Sequence, residues 1–325
     1  MLRRDFLTSL AGLAAGSFAQ PGRVHGESRP FVQGALPTRP LGHTGLEVPI
    51  LGLGGFHLGQ AGSEAAAARV VETALEEGIR FFDNAESYQS GTAERWMGAA
   101  LRGVREQVVL MTKTFDLQTR SADGARRHLE GSLERLQTDY LDVWQLHSVR
   151  SVDDVDRAFQ PGGAMEFILE AQREGIVRHV GVTGHTDPAV NLRALHHFDR
   201  GYRFDVMQMP MNPMDYHQQS FQRAVLPALV ERAIGVIAMK TSAQASLLRE
   251  RICTIDECLR YVWSLPVSVA VVGMERPDLV RHNARLAREF TQMKDDELTA
   301  LLERIRPEAD LGLEWYKGGT VRGED

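Results

Sequence analysis

The sequence predicts a closed α/β barrel of eight parallel strands, the (β/α)8 or TIM-barrel architecture. Eight short runs rich in Val, Ile, Leu and Phe recur at a regular pitch, and stretches with 3.6-residue apolar periodicity separate them. Continuous apolar strands suit a parallel sheet covered on both faces. Eight strand–helix repeats favour closure over an open, doubly wound sheet. No shift in composition marks a second domain, and 325 residues lie within what one barrel of this kind uses.

The strands are expected at Ile50–Gly54, Arg80–Asp83, Val108–Lys113, Leu141–Leu146, His179–Thr183, Val206–Met209, Val236–Met239 and Ser268–Val272. Of the helices, Ala65–Glu77 carries an apolar stripe of Val70, Val71, Ala74 and Leu75, and Gly78 follows where a left-handed cap is needed. Ser121–Leu136 carries Ala125, Leu129, Ser132, Leu133 and Leu136 on one face. Pro188 opens the helix after the fifth strand, with Asp187 as its cap. Residues 291–325 read as a further helix and a polar tail.

The ends and the charge bound the remaining possibilities. Arg3-Arg4-Asp5-Phe6-Leu7 precedes a mild apolar run from Leu10 to Ala19, with small residues at Ser17 and Ala19. This resembles a twin-arginine export signal, and the run is too short to span a bilayer. The expected organisation is a signal peptide over 1–19, a Gly-, Pro- and polar-rich linker over 20–35, and one barrel domain over 36–325. It implies export of the folded protein to the periplasm by the twin-arginine machinery, with no stable membrane insertion; without a working signal the protein stays cytoplasmic. A formal net charge of -6 with scattered Lys and Arg argues against a nucleic-acid partner. Cys253 and Cys258 are five apart, poor neighbours for a disulfide within a helix, and read as structural thiols. No zinc-type ligand set is present, so no metal is expected and a metal-dependent barrel hydrolase lacks its ligands.

In such a barrel, functional groups gather where strands end. The second strand closes with Phe82-Asp83-Asn84-Ala85-Glu86-Ser87-Tyr88, the third with Met111-Thr112-Lys113 and the fourth with Gln145-Leu146-His147. Asp83, Lys113, His147 and Tyr88 can therefore converge at one mouth. Together they suit carbonyl reduction, which needs a proton donor as hydride arrives from a cofactor. An ammonium beside a tyrosine favours the phenolate and lowers the phenol pKa, so Lys113 is expected to tune Tyr88 while Asp83 holds Lys113. His147 is placed to hydrogen-bond the carbonyl oxygen of a small-molecule substrate.

Several of these runs resemble the aldo-keto reductase family. They are Leu41-Gly42-His43-Thr44-Gly45-Leu46-Glu47-Val48, Gly52-Leu53-Gly54-Gly55, Phe82-Asp83-Asn84-Ala85 with Tyr88, and Leu133–Asp142 ending in Leu146-His147. The resemblance covers roughly residues 36–290. It implies a β-hairpin capping the barrel bottom and a catalytic tetrad of Asp83, Tyr88, Lys113 and His147. It further implies NADP(H), with NAD(H) as the alternative, and reduction of an aldehyde or ketone to an alcohol. Because the family includes channel β subunits with slow chemistry, the alternative is a cofactor-binding redox sensor or interaction subunit.

The same resemblance assigns cofactor contacts to Gly55, Asp83, Thr183, Gln208, Met239, Lys240, Gly273, Met274, Arg276 and Asn283. Thr183 and Gln208 fall where the family holds the nicotinamide amide, although Gly184 stands where an Asn is usual. Met239 replaces a stacking Tyr and can cover a ring by dispersion, and Lys240 can reach the pyrophosphate. Gly273 and Leu279 occupy two positions that often carry cations for the 2′-phosphate, so Arg276 is the guanidinium left to serve. Phe56 and Phe115 are expected as substrate walls beside His147, with His57 nearby.

Overall fold

The computed structural model of the protein describes residues 35–115 and 118–318. The proposed signal and all of the linker but Ala35 lie outside the described residues. The chain opens with an antiparallel hairpin of β1 (Thr38–Pro40) and β2 (Glu47–Pro49). Eight parallel strands follow: β3 (Leu51–Gly54), β4 (Phe81–Asp83), β5 (Val109–Thr114), β6 (Leu141–Val149), β7 (Val177–Gly184), β8 (Val206–Pro210), β9 (Gly235–Met239) and β10 (Val269–Gly273). They pair in sequence, and β10 pairs with β3 to close the barrel.

Local chemistry sets the helix ends. Ser63 caps Glu64–Glu76 by accepting from the Ala66 amide, and Gly78 beyond it has φ 85°. Ser121 caps Ala122–Leu136 through the Gly124 amide. Asp187 caps Pro188–Asp199 through Ala189, with Pro188 in the first turn. Cys253 precedes the helix Ile255–Ser264, which holds Cys258, so the two do not share a helix as expected; both are free and buried.

Along a strand, side chains alternate between the barrel interior and the helix layer. At the N-terminal end, Phe81, Met111, Val143, Val206, Ile237 and Val269 meet inside, and Leu41 and Val48 of the hairpin plug that end. The hairpin thus caps the bottom. Two residues further along, four of these inward rows become polar: Asp83 follows Phe81, Lys113 follows Met111, Gln145 follows Val143, and Gln208 follows Val206, all of them buried.

The expected polar tail is a correction. After the helix Asp295–Ile305, residues Leu311–Lys317 form a helical turn packed against the barrel, with Leu313, Glu314, Tyr316 and Lys317 buried. The Lys317 ammonium gives its three hydrogens to Asp215 Oδ1 at 2.6 Å, Glu314 Oε2 at 2.8 Å and the Gln218 carbonyl at 3.0 Å. Glu314 Oε1 also accepts from Tyr316 Oη at 2.7 Å and Asn212 Nδ2 at 3.0 Å. Polar residues imply exposure only when they lack partners. Here they satisfy one another, which makes their burial tolerable.

Candidate active site

The C-terminal ends of β4, β5 and β6 bring the predicted tetrad together. Lys113 is 1% exposed and Asp83 3%. The Lys113 ammonium donates to Asp83 Oδ1, to the Asn84 carbonyl at 2.6 Å and to Tyr88 Oη at 3.4 Å. Three N–H donors thus meet three acceptors, which a charged lysine requires when buried. Burial works against that charge, but Asp83 and Tyr88 outweigh it and hold Lys113 above the ordinary lysine value. Because Tyr88 Oη accepts from Lys113, its own hydrogen is left to point elsewhere. Asn84 contributes a main-chain oxygen, a role that no side-chain pattern signals.

Tyr88 lies just past β4, where Gln89, Ser90 and Gly91 have φ of 44°, 52° and 81°. This left-handed run turns the chain sharply behind the tyrosine, at a strain that functional sites often hold. His147 is aimed by a second irregularity. The β6–β7 register shifts between Leu146 and Val149, and Ser148 has φ 54°. The Ser148 amide donates to Thr183 Oγ1 at 2.8 Å. The buried Arg120 guanidinium donates to the carbonyls of His147 at 2.8 Å and Ser148 at 3.0 Å while pairing with Asp154. A bulge of this kind re-aims a side chain. It brings the His147 ring to 5.9 Å from Tyr88 and 5.0 Å from Phe115, centroid to centroid.

The electrostatics correct one expectation. Burial pushes the Tyr88 phenol above the ordinary tyrosine value, and Lys113 only partly offsets it. The ammonium acts in the expected direction, but desolvation of the phenolate wins. Tyr88 is thus firmly protonated at neutral pH. Burial, followed by Lys113, His185, Arg120 and Lys240, holds His147 well below the ordinary histidine value, so its ring is neutral. His147 Nδ1 is buried without a hydrogen-bond partner among the described residues.

The expected substrate walls border this group. Phe56 is 46% exposed and meets the Tyr88 ring edge-on at 5.3 Å and His57 at 5.5 Å. The Phe115 amide donates to Glu86 Oε1 at 3.1 Å.

The expected cofactor residues separate into two groups. Thr183 and Gln208 pair across β7 and β8 inside the mouth, and Gln208 Nε2 reaches Asp83 Oδ2 at 3.3 Å. Gln145, a strand-end residue with no expected role, links to Gln208 Oε1 at 3.3 Å. Met239 ends β9 and Lys240 follows it, at φ 54°. No carboxylate pairs with Lys240 among the described residues, and burial followed by Lys113 lowers its pKa to about 8. The other group presents little to the mouth by side chain. A Cβ at Gly55 would lie 2.6 Å from the Asp83 carbonyl, and one at Gly273 2.0 Å from His57 Nδ1, so both are sites of close packing. Met274 and Asn283 are buried, and Arg276 is tied to Asp278 at 3.0 Å on the surface. At Gly184, a Cβ would fall 2.2 Å from Asn191 Oδ1, so the position has no room for the usual Asn as the chain stands.

Among the described residues no group of three or more His, Cys, Asp or Glu could hold a metal, and no helix is long and apolar enough to cross a membrane.

Residues 50–256 match the aldo/keto reductase family. The chain is 25% identical over 231 residues to the uncharacterized oxidoreductase YqkF of Bacillus subtilis, covering 68% of this chain and 70% of that protein. It is 33% identical over 190 residues to a 6-dehydroglucose reductase of Novosphingobium aromaticivorans, covering 54% of this chain and 60% of that one. An aldo-keto reductase from Klebsiella pneumoniae, solved in complex with NADPH, superposes with a TM-score of 0.69 over 84% of this chain and 96% of its own, at 24% identity. The barrel closed by β10 on β3 and the family match across β3 to β9 agree: the chain belongs to the aldo/keto reductase family of enzymes.

Proposed function

We propose that the protein reduces an aldehyde or ketone to an alcohol, with Tyr88 as proton donor. The observation that carries this reading is the shared ammonium: buried Lys113 joins buried Asp83 to half-buried Tyr88, with His147 edge-on to the phenol. The residues also fit an anionic dinucleotide. Lys240 is a cation without a carboxylate partner among the described residues, at the rim of the same mouth, suited to the pyrophosphate, and Thr183 and Gln208 offer polar groups within it. NADP(H) is favoured, as in the Klebsiella protein solved with NADPH; the Arg276–Asp278 pair would have to open for Arg276 to hold a 2′-phosphate.

A reduced nicotinamide supplies the hydride when bound. The protein's part is proton delivery and positioning. The neutral His147 ring gives one N–H to the carbonyl oxygen and orients it. The Tyr88 hydrogen, left free because Lys113 donates to the phenol oxygen, moves to the same oxygen as negative charge develops there. Lys113 then stabilises the phenolate, and Asp83 keeps Lys113 charged. The raised pKa of Tyr88 ensures that the proton is present before the reaction begins. Phe56 and Phe115 wall the substrate, whose class is a small carbonyl compound; the 6-dehydroglucose reductase among the relatives makes an oxidised sugar a sensible first trial.

Tyr88→Phe tests this assignment. It should leave NADPH binding intact, measured by fluorescence titration, and lower turnover about 100- to 10,000-fold. Full activity would refute the role. Tight NADPH retention by the wild type, with no turnover across an aldehyde and ketone panel, would favour the sensor reading instead. Export is a separate proposal: the twin-arginine signal carries the folded barrel to the periplasm, and replacing Arg3 and Arg4 with Lys should retain it in the cytoplasm.

A further inference from the structure

The C-terminal turn does more than close the fold. It lies over the ends of three consecutive barrel strands. The Tyr316 hydroxyl accepts from Asn212, just past β8, at 3.1 Å. Its ring stands 6.2 Å from that of His185, just past β7, and the ammonium of Lys240, just past β9, sits 5.0 Å from its centroid. The turn is held by buried bonds among Lys317, Asp215, Glu314 and Asn212, so the ring has a fixed seat. Lys240, with no carboxylate partner among the described residues, rests on that ring.

An aromatic face can hold an ammonium without neutralising it. A carboxylate in the same place would compete with an incoming anion; a ring does not. This distinction matters beside a mouth already crowded with Lys113 and three histidines, His57, His147 and His185, where another fixed carboxylate would disturb the Lys113–Asp83 pair. Lys240 has a left-handed backbone, φ 54°, and its ammonium lies over the Tyr316 ring of the turn.

We propose that Tyr316 is a positioning residue of the cofactor site, holding the Lys240 ammonium oriented for the cofactor's phosphates. The proposal rests on the reading of the mouth as a dinucleotide-binding reductase site. It makes residues 311–317 part of the binding machinery, contributed by chain beyond the family match at 50–256.

The test is a double-mutant cycle read by NADPH fluorescence titration on the full chain, with thermal melts confirming that each variant is folded. Tyr316→Leu removes the ring face and should weaken NADPH binding about 2- to 30-fold. Tyr316→Phe keeps the face and should bind within about twofold of wild type, although it loses the bonds to Glu314 and Asn212 and melts earlier. Lys240→Met should weaken binding, and adding Tyr316→Leu to it should weaken it no further. An equal loss from Tyr316→Leu in both backgrounds would show a merely structural role and overturn the proposal, as would unchanged or tighter binding by Tyr316→Leu alone. A wild-type protein that binds no NADPH would overturn the reductase reading and this proposal together; wild-type binding that ignores Tyr316 overturns this proposal alone.

Discussion

The two ends of the barrel are built from the same strands and solve opposite problems. At the base, Leu41, Val48, Phe81, Met111, Val143, Val206, Ile237 and Val269 fill the interior with hydrocarbon. At the mouth, four of the next inward residues, Asp83, Lys113, Gln145 and Gln208, are buried as thoroughly but joined by hydrogen bonds and charge. Four left-handed residues, Gln89, Ser90, Ser148 and Lys240, lie at or near the strand ends of the mouth. Apolar packing at the base stabilises the barrel, and the mouth can then carry buried charge and strained backbone. The contrast teaches that burial alone does not separate structure from function here; what each buried atom is paired with does.

The largest effects should come from breaking the mouth's charge pairing. Lys113→Met leaves Asp83 buried without its ammonium and should cost about 3–5 kcal/mol in denaturant unfolding, together with nearly all turnover. Adding Asp83→Leu should recover much of that stability and none of the activity, which separates the pair's structural burden from its chemistry. A base substitution should do the reverse. Phe81→Ala removes a fully buried ring and should cost about 3–5 kcal/mol, while the folded fraction keeps its kcat. Significant loss of kcat in that variant would mean that the two ends are not independent.

Smaller effects sharpen the comparison. Thr183→Val removes the acceptor of the Ser148 amide and should cost about 1–3 kcal/mol. It should also lower kcat more than it changes NADPH affinity, because the bond it loses holds the bulge that aims His147. The smallest effect is a pH slope. Lys240 sits near a pKa of about 8 in the free protein, and a bound phosphate raises it. Above that pH, binding must take up a proton, so NADPH affinity should fall as pH rises, by at most about tenfold per unit. Lys240→Met should flatten the profile between pH 7.5 and 9.5.

The sequence made the barrel legible because its signals are local and repeated. Every predicted strand overlaps an observed one, with ends displaced by at most three residues, and the period-two switch from Phe81 to Asp83 and from Met111 to Lys113 can be read directly. The tetrad was legible for the same reason, since strand ends place it. What was hidden depends on three-dimensional accounting. Nothing in Leu146-His147-Ser148-Val149 announces a bulge, because its support comes from Thr183 and Arg120, far along the chain. Glu314 and Lys317 read as tail because their partners Asn212 and Asp215 lie about a hundred positions away. The direction of the Tyr88 shift was misread because residue types show the neighbouring ammonium but not the depth of burial that outweighs it.

The most direct test of the account is a crystal structure of the protein with NADPH and a bound aldehyde or a carboxylate that mimics it. The account predicts one ligand oxygen within about 2.6–3.2 Å of both Tyr88 Oη and a ring nitrogen of His147, with Lys113 still donating to Tyr88. A ligand oxygen held by other groups, with Tyr88 and His147 addressing different atoms, would contradict it.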